Sequence, residues 1–389
     1  MGILKRRVAI IGGGQLGKMM ILEAKRLGIY CAVLDPDTEC AARSVADEYV
    51  NARFDDVSAV MALAARADVV TFELEHVGRD CLLALEKSGL DVRPSPASLL
   101  LIQNKFVQKT KLKEAQIPVP EFISIAAAPD CALGKNGDLA RAGELLNYPY
   151  MLKACCGGYD GKGNAPVLSG ENAEGAYSAL GGGKIELMAE GFVRFEKEIS
   201  VLACRSVDGD TVVYPIAQNQ HEDSILKETR APACVTEETA RKAREIAARV
   251  MDVFGAVGMF CVEMFVTREG DVLVNEIAPR PHNSGHYTID SCFVNQFEQH
   301  IRAVVGLPLA EPMMFGAAVM RNLLGEGDGI AEVYGAKEAL AIDGVKLHIY
   351  GKPEVRARRK MGHLTACADT IEEALAKADK ACGVVKIGV

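Results

Sequence analysis

The 389-residue sequence has no surplus of positive charge: 44 Lys and Arg stand against 52 Asp and Glu, a formal net charge of −8. A nonspecific grip on nucleic acid needs a basic surface that displaces counterions, so no nucleic-acid partner is expected and any phosphate ligand must meet a local basic cluster. Twelve cysteines are present, yet no C-x-x-C spacing occurs. Apart from Cys155-Cys156 they stand singly in apolar stretches such as Met259-Phe260-Cys261-Val262. That argues against zinc and disulfides and for reduced, mostly buried thiols in a cytoplasmic protein. No apolar run approaches membrane-spanning length, and the short basic start ahead of residues 8–11 is too brief for a secretory leader, so neither membrane nor export is expected. The P-loop spacing G-x-x-x-x-G-K-[ST], internal repeats and low-complexity tracts are absent too.

What is present is ordinary for a folded chain: 49% hydrophobic and 25% charged residues, at a length that implies two or three domains. Val8-Ala9-Ile10-Ile11 reads as a strand ending in Gly12-Gly13-Gly14. Apolar residues then recur at helical spacing through Leu16, Met19, Met20 and Leu27. Strands at 31–34 and 68–72 close on Asp35 and Glu73, and alternation of strand and helix implies a parallel sheet. Pro94 and Pro96 punctuate the chain, and residues 97–116 read as one helical connection, with a domain boundary near 103. A strand-rich module follows, with strands near 185–192 and 196–203 and a helix over 237–254. Two further strands, 259–266 and 271–277, are joined by a turn at Gly270 as an antiparallel hairpin. A helix near 293–305 ends at Gly306-Leu307-Pro308, leaving a short third domain.

Gly12-x-Gly14-x-x-Gly17, followed by Asp35, has the look of a dinucleotide fingerprint. The physics is less exclusive. Glycines let backbone approach any anion and a helix N-terminus offers N–H groups to any phosphate, so nicotinamide binding, another phosphate ligand and a merely tight turn all remain open. Downstream, Lys153 ends an apolar strand beside Gly157-Gly158-Tyr159-Asp160-Gly161-Lys162-Gly163, a fixed ammonium next to a loop able to fold over phosphates. Glu263 and Glu276 lie within apolar strands, where an unpartnered carboxylate costs several kcal/mol, so salt bridges or a cation must compensate. If the strands pair through Gly270 the two acids come alongside each other, and magnesium relieves their repulsion. Arg280, in the donor-rich segment 278–286, suits bidentate binding of carboxylate or phosphate. Lys352, Arg356, Arg358, Arg359 and Lys360 form the one dense basic cluster of the sequence.

The run Val274-Asn275-Glu276-Ile277-Ala278-Pro279-Arg280-Pro281-His282-Asn283-Ser284-Gly285-His286, together with 157–163, Gly12-Gly13-Gly14-Gln15-Leu16-Gly17 and Arg359-Lys360-Met361-Gly362-His363, resembles the 5-(carboxyamino)imidazole ribonucleotide synthase family over nearly the whole chain. The resemblance implies a mixed α/β and α+β ATP-grasp fold. Residues 1–103 would form a Rossmann-like N-terminal domain, 104–305 the ATP-grasp domain with its glycine-rich lid, and 306–389 a small C-terminal domain. It implies ATP and magnesium as cofactors, bicarbonate and 5-aminoimidazole ribonucleotide as co-substrates, and a cytoplasmic homodimer.

By the family's pattern Lys105 and Lys153 would contact ATP phosphates under the lid of Gly158, Tyr159, Asp160, Gly161, Lys162, Gly163 and Asn164. Glu190, Gly191, Phe192 and Val193 would read adenine, Glu198 would hold ribose, and His221 and Asn275 would complete the nucleotide site. Glu263 and Glu276 would carry magnesium. Asp160, Arg280, His282 and Lys352 would be catalytic. Tyr159 and Asn283 would join them around the substrates, Gly14, Gln15 and Leu16 would seat the ribotide, and Arg359 and Lys360 would meet its phosphate. Asp160 would orient or deprotonate the amine. The sequence departs from the family motif at His76, at Ser224 where glycine is frequent, and at Ala357-Arg358 where Pro-Gly is usual. Rival readings are another ATP-grasp ligase, such as a formate-dependent glycinamide ribotide transformylase, and a nicotinamide oxidoreductase.

Overall fold

The computed structural model describes Gly2 and residues 5–125, 134–158 and 163–388, with side chains of 134–136 left aside. The chain begins with a four-stranded parallel sheet, in spatial order Glu48–Asn51, Tyr30–Asp35, Arg7–Ile11, Val69–Phe72. Its β-branched strands are almost wholly buried because helices cover both faces, as the strand-helix alternation predicts. The glycine turn leads from the first of these strands into the helix Gln15–Arg26.

The connection over 97–116 departs from expectation. It is two helices, Pro96–Gln103 and Lys105–Glu114, broken at Asn104, whose extended backbone (φ −101°, ψ 109°) lets its Oδ1 accept from the N–H groups of Phe106 and Val107. Asparagine competes with a helix through such local bonds, and here it restarts one in a new direction. The helix expected near 293–305 runs Gln296–Val305 with Asn295 capping its start, and a separate short helix, Thr288–Ser291, precedes it.

Two antiparallel sheets follow. The smaller has the order Phe122–Ile125, Leu187–Gly191, Tyr150–Ala154, Asn164–Val167. The larger runs Val272–Ala278, Gly258–Thr267, Phe195–Arg205, Ala217–Glu222, Ile225–Ala231, Ala317–Leu324, Lys360–Ala368, Val345–Ile349, with Thr211–Val213 pairing beside Phe195–Arg205. The hairpin expected at Gly270 is antiparallel as read. Strands beyond residue 306 extend this same sheet through the ladder between Ile225–Ala231 and Ala317–Leu324. The helix Glu237–Phe254 packs its apolar stripe on the large sheet, and the resulting core contains Val201, Phe260, Val262, Val274 and Ile277. Among the described residues no helix is long and apolar enough to cross a membrane.

Candidate functional site

The glycine turn is occupied by its own protein. Glu73, immediately after the strand Val69–Phe72, is 9% exposed, and its Oε1 accepts from the Leu16 N–H at 3.2 Å. A Cβ on Gly14 would lie 2.4 Å from that oxygen. Gly12 has a φ of +107°, and a Cβ there would meet Glu73 and Leu74 within 2.8 Å. Asp35, the position where a dinucleotide domain would bind ribose, instead accepts from Gly13 N–H at 2.7 Å and Asp37 N–H at 2.8 Å. Both recognition points of the fingerprint are filled by internal carboxylates, so the nicotinamide reading has no free anion site here. Burial pushes the Glu73 carboxyl up to about 7, against the pull of the Arg280 charge.

The open space lies elsewhere, between the two antiparallel sheets and against the rim of the parallel one, as a cavity of about 580 Å³. Of the residues singled out in the sequence, it gathers Gln15, Leu16, Lys105, Lys153, Gly158, Asn164, the strand end 190–193, Glu198 and His221. From the far wall come Glu263, Asn275, Glu276, Arg280, His282 and Asn283, with Lys360 from the chain's last third. Gly14, Gly163, Lys352 and Arg359 are not among its lining. Gly14 is turned onto Glu73, the Gly163 carbonyl accepts from Ala154 N–H, Lys352 donates to the Lys360 carbonyl at 2.7 Å, and Arg359 to that of Glu354 at 3.0 Å. Tyr159, Asp160, Gly161 and Lys162 lie outside the described residues.

Sheet register puts the charges in place. Glu263 and Glu276 are direct cross-strand partners, and the register slips immediately beyond them, where Met264 pairs with Val274 and Asn275 is left over. Such a bulge breaks the two-residue alternation, which is why the consecutive Asn275 and Glu276 both face the cavity. Lys105 Nζ sits 2.7 Å from Glu276 Oε2, while Lys153 Nζ lies 2.5 Å from Glu190 Oε1 and 3.2 Å from Asn275 Oδ1. Burial raises Glu276, but Lys105, with Lys153 and Lys109 behind it, outweighs this and holds its carboxyl below the usual range. Glu263 has less help: the His221 and Lys105 charges draw it down without an ion pair, and its nearest imidazole, His282 Nε2 at 3.9 Å, is kept well below its ordinary pKa by burial and the Arg280 charge. Burial and the neighbouring Glu276 then push Glu263 up to about 7.

Two adjoining carboxylates, one of them without an ion-paired lysine or arginine among the described residues, with an amide oxygen beside them, form an oxygen donor set that fits a hard divalent cation completing its shell from phosphates and water. Among the described residues no cluster of three or more His, Cys, Asp or Glu could hold a metal by itself. At the opposite end His221 Nδ1 meets Glu198 Oε2 at 2.7 Å; burial lowers the imidazole pKa, but Glu198 outweighs it and the net shift is upward.

Sequence reading missed several members of the site. Glu75 lines the cavity and grips Arg280 Nη2 at 2.7 Å and 3.0 Å through its two oxygens. Glu73 and Glu75 could have been suspected, since they follow the C-terminal end of a parallel strand, where α/β sheets place ligands. His76 and Ser224, two of the departures from the family motif, also line the cavity. Ser224 (φ +64°) and Arg358 (φ +66°), at the positions where the family motif favours glycine, stand in the left-handed region, where a side chain is strained.

Family models agree with this geometry: a ribonucleotide synthetase preATP-grasp domain matches residues 5–103, an ATP-grasp domain 110–297, and a phosphoribosylaminoimidazole carboxylase C-terminal domain 318–377. The chain is 40% identical over 378 residues to the chloroplastic phosphoribosylaminoimidazole carboxylase of Vigna aconitifolia, covering 95% of this chain and 65% of that one, so it spans just under two thirds of that relative's length. The crystal structure of N5-carboxyaminoimidazole ribonucleotide synthetase from Thermotoga maritima is similar with a TM-score of 0.87 at 42% identity, covering 98% of this chain and 99% of that one. N5-carboxyaminoimidazole synthase from Aspergillus clavatus, in complex with ADP and 5-aminoimidazole ribonucleotide, gives a TM-score of 0.87 at 34% identity over 98% of this chain and 99% of that one.

Proposed function

Because the chain belongs to the N5-carboxyaminoimidazole ribonucleotide synthase family, with the ATP-grasp fold its motifs resemble, we propose that it couples ATP cleavage to carboxylation of 5-aminoimidazole ribonucleotide by bicarbonate. ATP phosphorylates bicarbonate to carboxyphosphate. The exocyclic amine of the ribotide then takes up the carboxyl group, with release of ADP and phosphate. The observation that carries this reading is the cross-strand pair Glu263 and Glu276 facing Lys105 and Lys153 across one cavity. The Aspergillus relative's complex with ADP and the ribotide supports the choice of substrates.

Phosphoryl transfer asks a protein mainly for positioning and charge neutralisation. Lys105 and Lys153 bind the phosphates, and Glu263 and Glu276 would hold magnesium, which when bound neutralises phosphate charge. Arg280, aligned by Glu75, takes the bicarbonate-derived carboxylate as a bidentate donor. His282, neutral at its Nε2, and Asn283 border the same space. We assign Asp160 to orienting the amine, Lys352, Arg359 and Lys360 to the ribotide, and residues 158–164 to excluding water from a hydrolysable intermediate. We further propose domains of 1–103, 104–305 and 306–389, cytoplasmic residence and assembly as a homodimer.

An ADP-release assay with each co-substrate omitted in turn tests the reading. ADP release should require bicarbonate and rise with the imidazole ribotide. Turnover that instead depends on formate and a glycinamide ribotide, or NADH binding without ATP hydrolysis, would sink it.

A further inference from the structure

Lys109 belongs to none of the motifs, yet its ammonium is enclosed by protein, with 1% of the residue exposed. It lies one helical turn beyond Lys105 on Lys105–Glu114. Its Nζ stands 2.6 Å from Glu190 Oε2 and donates to the Val274 carbonyl at 3.3 Å. The other oxygen of Glu190 accepts from Lys153 at 2.5 Å. One buried carboxylate therefore holds two ammonium groups, and the triad carries a net single positive charge where little water can reach it.

Across the cavity the imbalance is reversed, because Glu276 is matched by Lys105 while Glu263 has no ion-paired lysine or arginine among the described residues, its nearest basic group being the neutral His282 imidazole, with His221 and Lys105 acting without direct contact. The site has a positive pole at Lys153 and a negative pole at the two strand carboxylates, one shaped for phosphate and the other for a cation. We propose that Lys109 is a positioning residue for nucleotide phosphate: by neutralising Glu190 it leaves the Lys153 charge unspent for an anion that Lys109 itself never touches. The proposal rests on the nucleotide reading of this cavity. Without Lys109, Lys153 and Glu190 form a closed neutral pair, and phosphate can bind only by competing with an ionised carboxylate. The titration pattern agrees. Burial pushes Lys109 down to about 8, with Glu190 opposing and the Lys153 charge reinforcing the fall, while the two ammonium groups outweigh burial and keep Glu190 below the usual carboxylate range.

A lysine that only filled space would behave differently. Calorimetric titration of the full chain with ADP and with adenosine separates the phosphate contribution from the shape of the base pocket. In Lys109→Met, ADP affinity should fall about 10- to 100-fold, the scale of one unit charge removed roughly 6–12 Å from phosphate at an effective dielectric near 20, while adenosine affinity stays within about twofold. Adding Glu190→Gln to the same chain should restore most of the loss, since it unties Lys153 again. Should Lys109→Met fail to fold, Glu190→Gln alone decides: ADP should bind more tightly relative to adenosine. Parallel weakening of ADP and adenosine, no recovery in the double variant, or weaker relative ADP binding by Glu190→Gln would overturn the proposal while leaving the nucleotide reading intact. A wild-type chain that binds neither ligand would overturn both.

Discussion

Two glycine-rich turns, at 12–17 and 157–163, read alike in the sequence, yet the fold gives them opposite surroundings. Around the first, the helix N-terminus already faces the Glu73 carboxylate, Asp35 satisfies Gly13, and added atoms would clash on every side. In the second, a Cβ on Gly163 would come within 3.0 Å of Gly158, but among the described residues one on Gly157 would meet nothing within 4 Å, and Gly158 opens on a cavity whose charges are left unbalanced. Glycine spacing reports what a backbone can approach; it does not report whether an internal group has already arrived. Binding capacity lies where donors and charges remain unspent, and that is a property of the tertiary structure.

The sharpest way to break this contrast is to remove charge from the unbalanced site. Glu276→Gln should lower ATP turnover at least about a hundredfold if the carboxylate holds the metal, measured by ADP release at saturating magnesium. Near-wild-type turnover would take Glu276 out of the site. The matching change in the filled turn should act on stability instead. Gly14→Ala places a Cβ 2.4 Å from Glu73 Oε1 in a buried, closely packed region. It should cost roughly 1–3 kcal/mol by overpacking, read as a shift in urea midpoint. An unchanged midpoint would mean that the Glu73 carboxylate moves aside freely and the turn is less filled than its geometry indicates.

Much of the fold was legible because it follows local periodicity. The parallel strands, the helix Glu237–Phe254 and the hairpin through Gly270 all stand close to where apolar spacing put them. The break at Asn104 was not legible, because asparagine is compatible with a helix interior until its side chain finds N–H groups to cap. Resemblance to the family, now matched by relatives and solved structures, selected most of the cavity lining. It could not select Glu75 or Lys109, whose importance depends on which charge stands opposite. The bulge that turns both Asn275 and Glu276 inward is equally invisible in a string, since a regular strand would send one of them away.

The buried histidines beneath the site offer a smaller, pH-dependent test. His300 is fully enclosed; its Nδ1 accepts from Met259 N–H at 3.0 Å and its Nε2 lies 2.8 Å from Thr71 Oγ1, and burial drives its pKa down to about 3. Between that value and about 6.5 the unfolded imidazole binds a proton that the folded one refuses. The stability it contributes is therefore present above pH 6.5 and is lost as pH falls, by about 1.4 kcal/mol per unit. Glu73 and Glu263, pushed up to about 7, act in the opposite sense. The clean reading is thus the difference between wild type and His300→Gln in urea unfolding at pH 7.5 and 5.5. The variant should lose less stability on acidification, and identical slopes would show that the imidazole protonates in place.

The smallest effect belongs to the open turn. Gly157 has a φ of +78° and, among the described residues, nothing within 4 Å of where a Cβ would go, so Gly157→Ala is expected to suffer chiefly the left-handed backbone penalty, about 1 kcal/mol. Relief is available, because a turn beside an open cavity can rotate toward a more ordinary conformation, which the filled turn at Gly14 cannot do. The expected result is a urea midpoint lowered less than in Gly14→Ala but, on the proposed nucleotide reading, a raised KM for ATP, as the rotation redirects Gly158 in the cavity. The reverse ranking, with Gly157→Ala the more destabilising and ATP binding untouched, would mean that the second turn is as tightly committed to packing as the first.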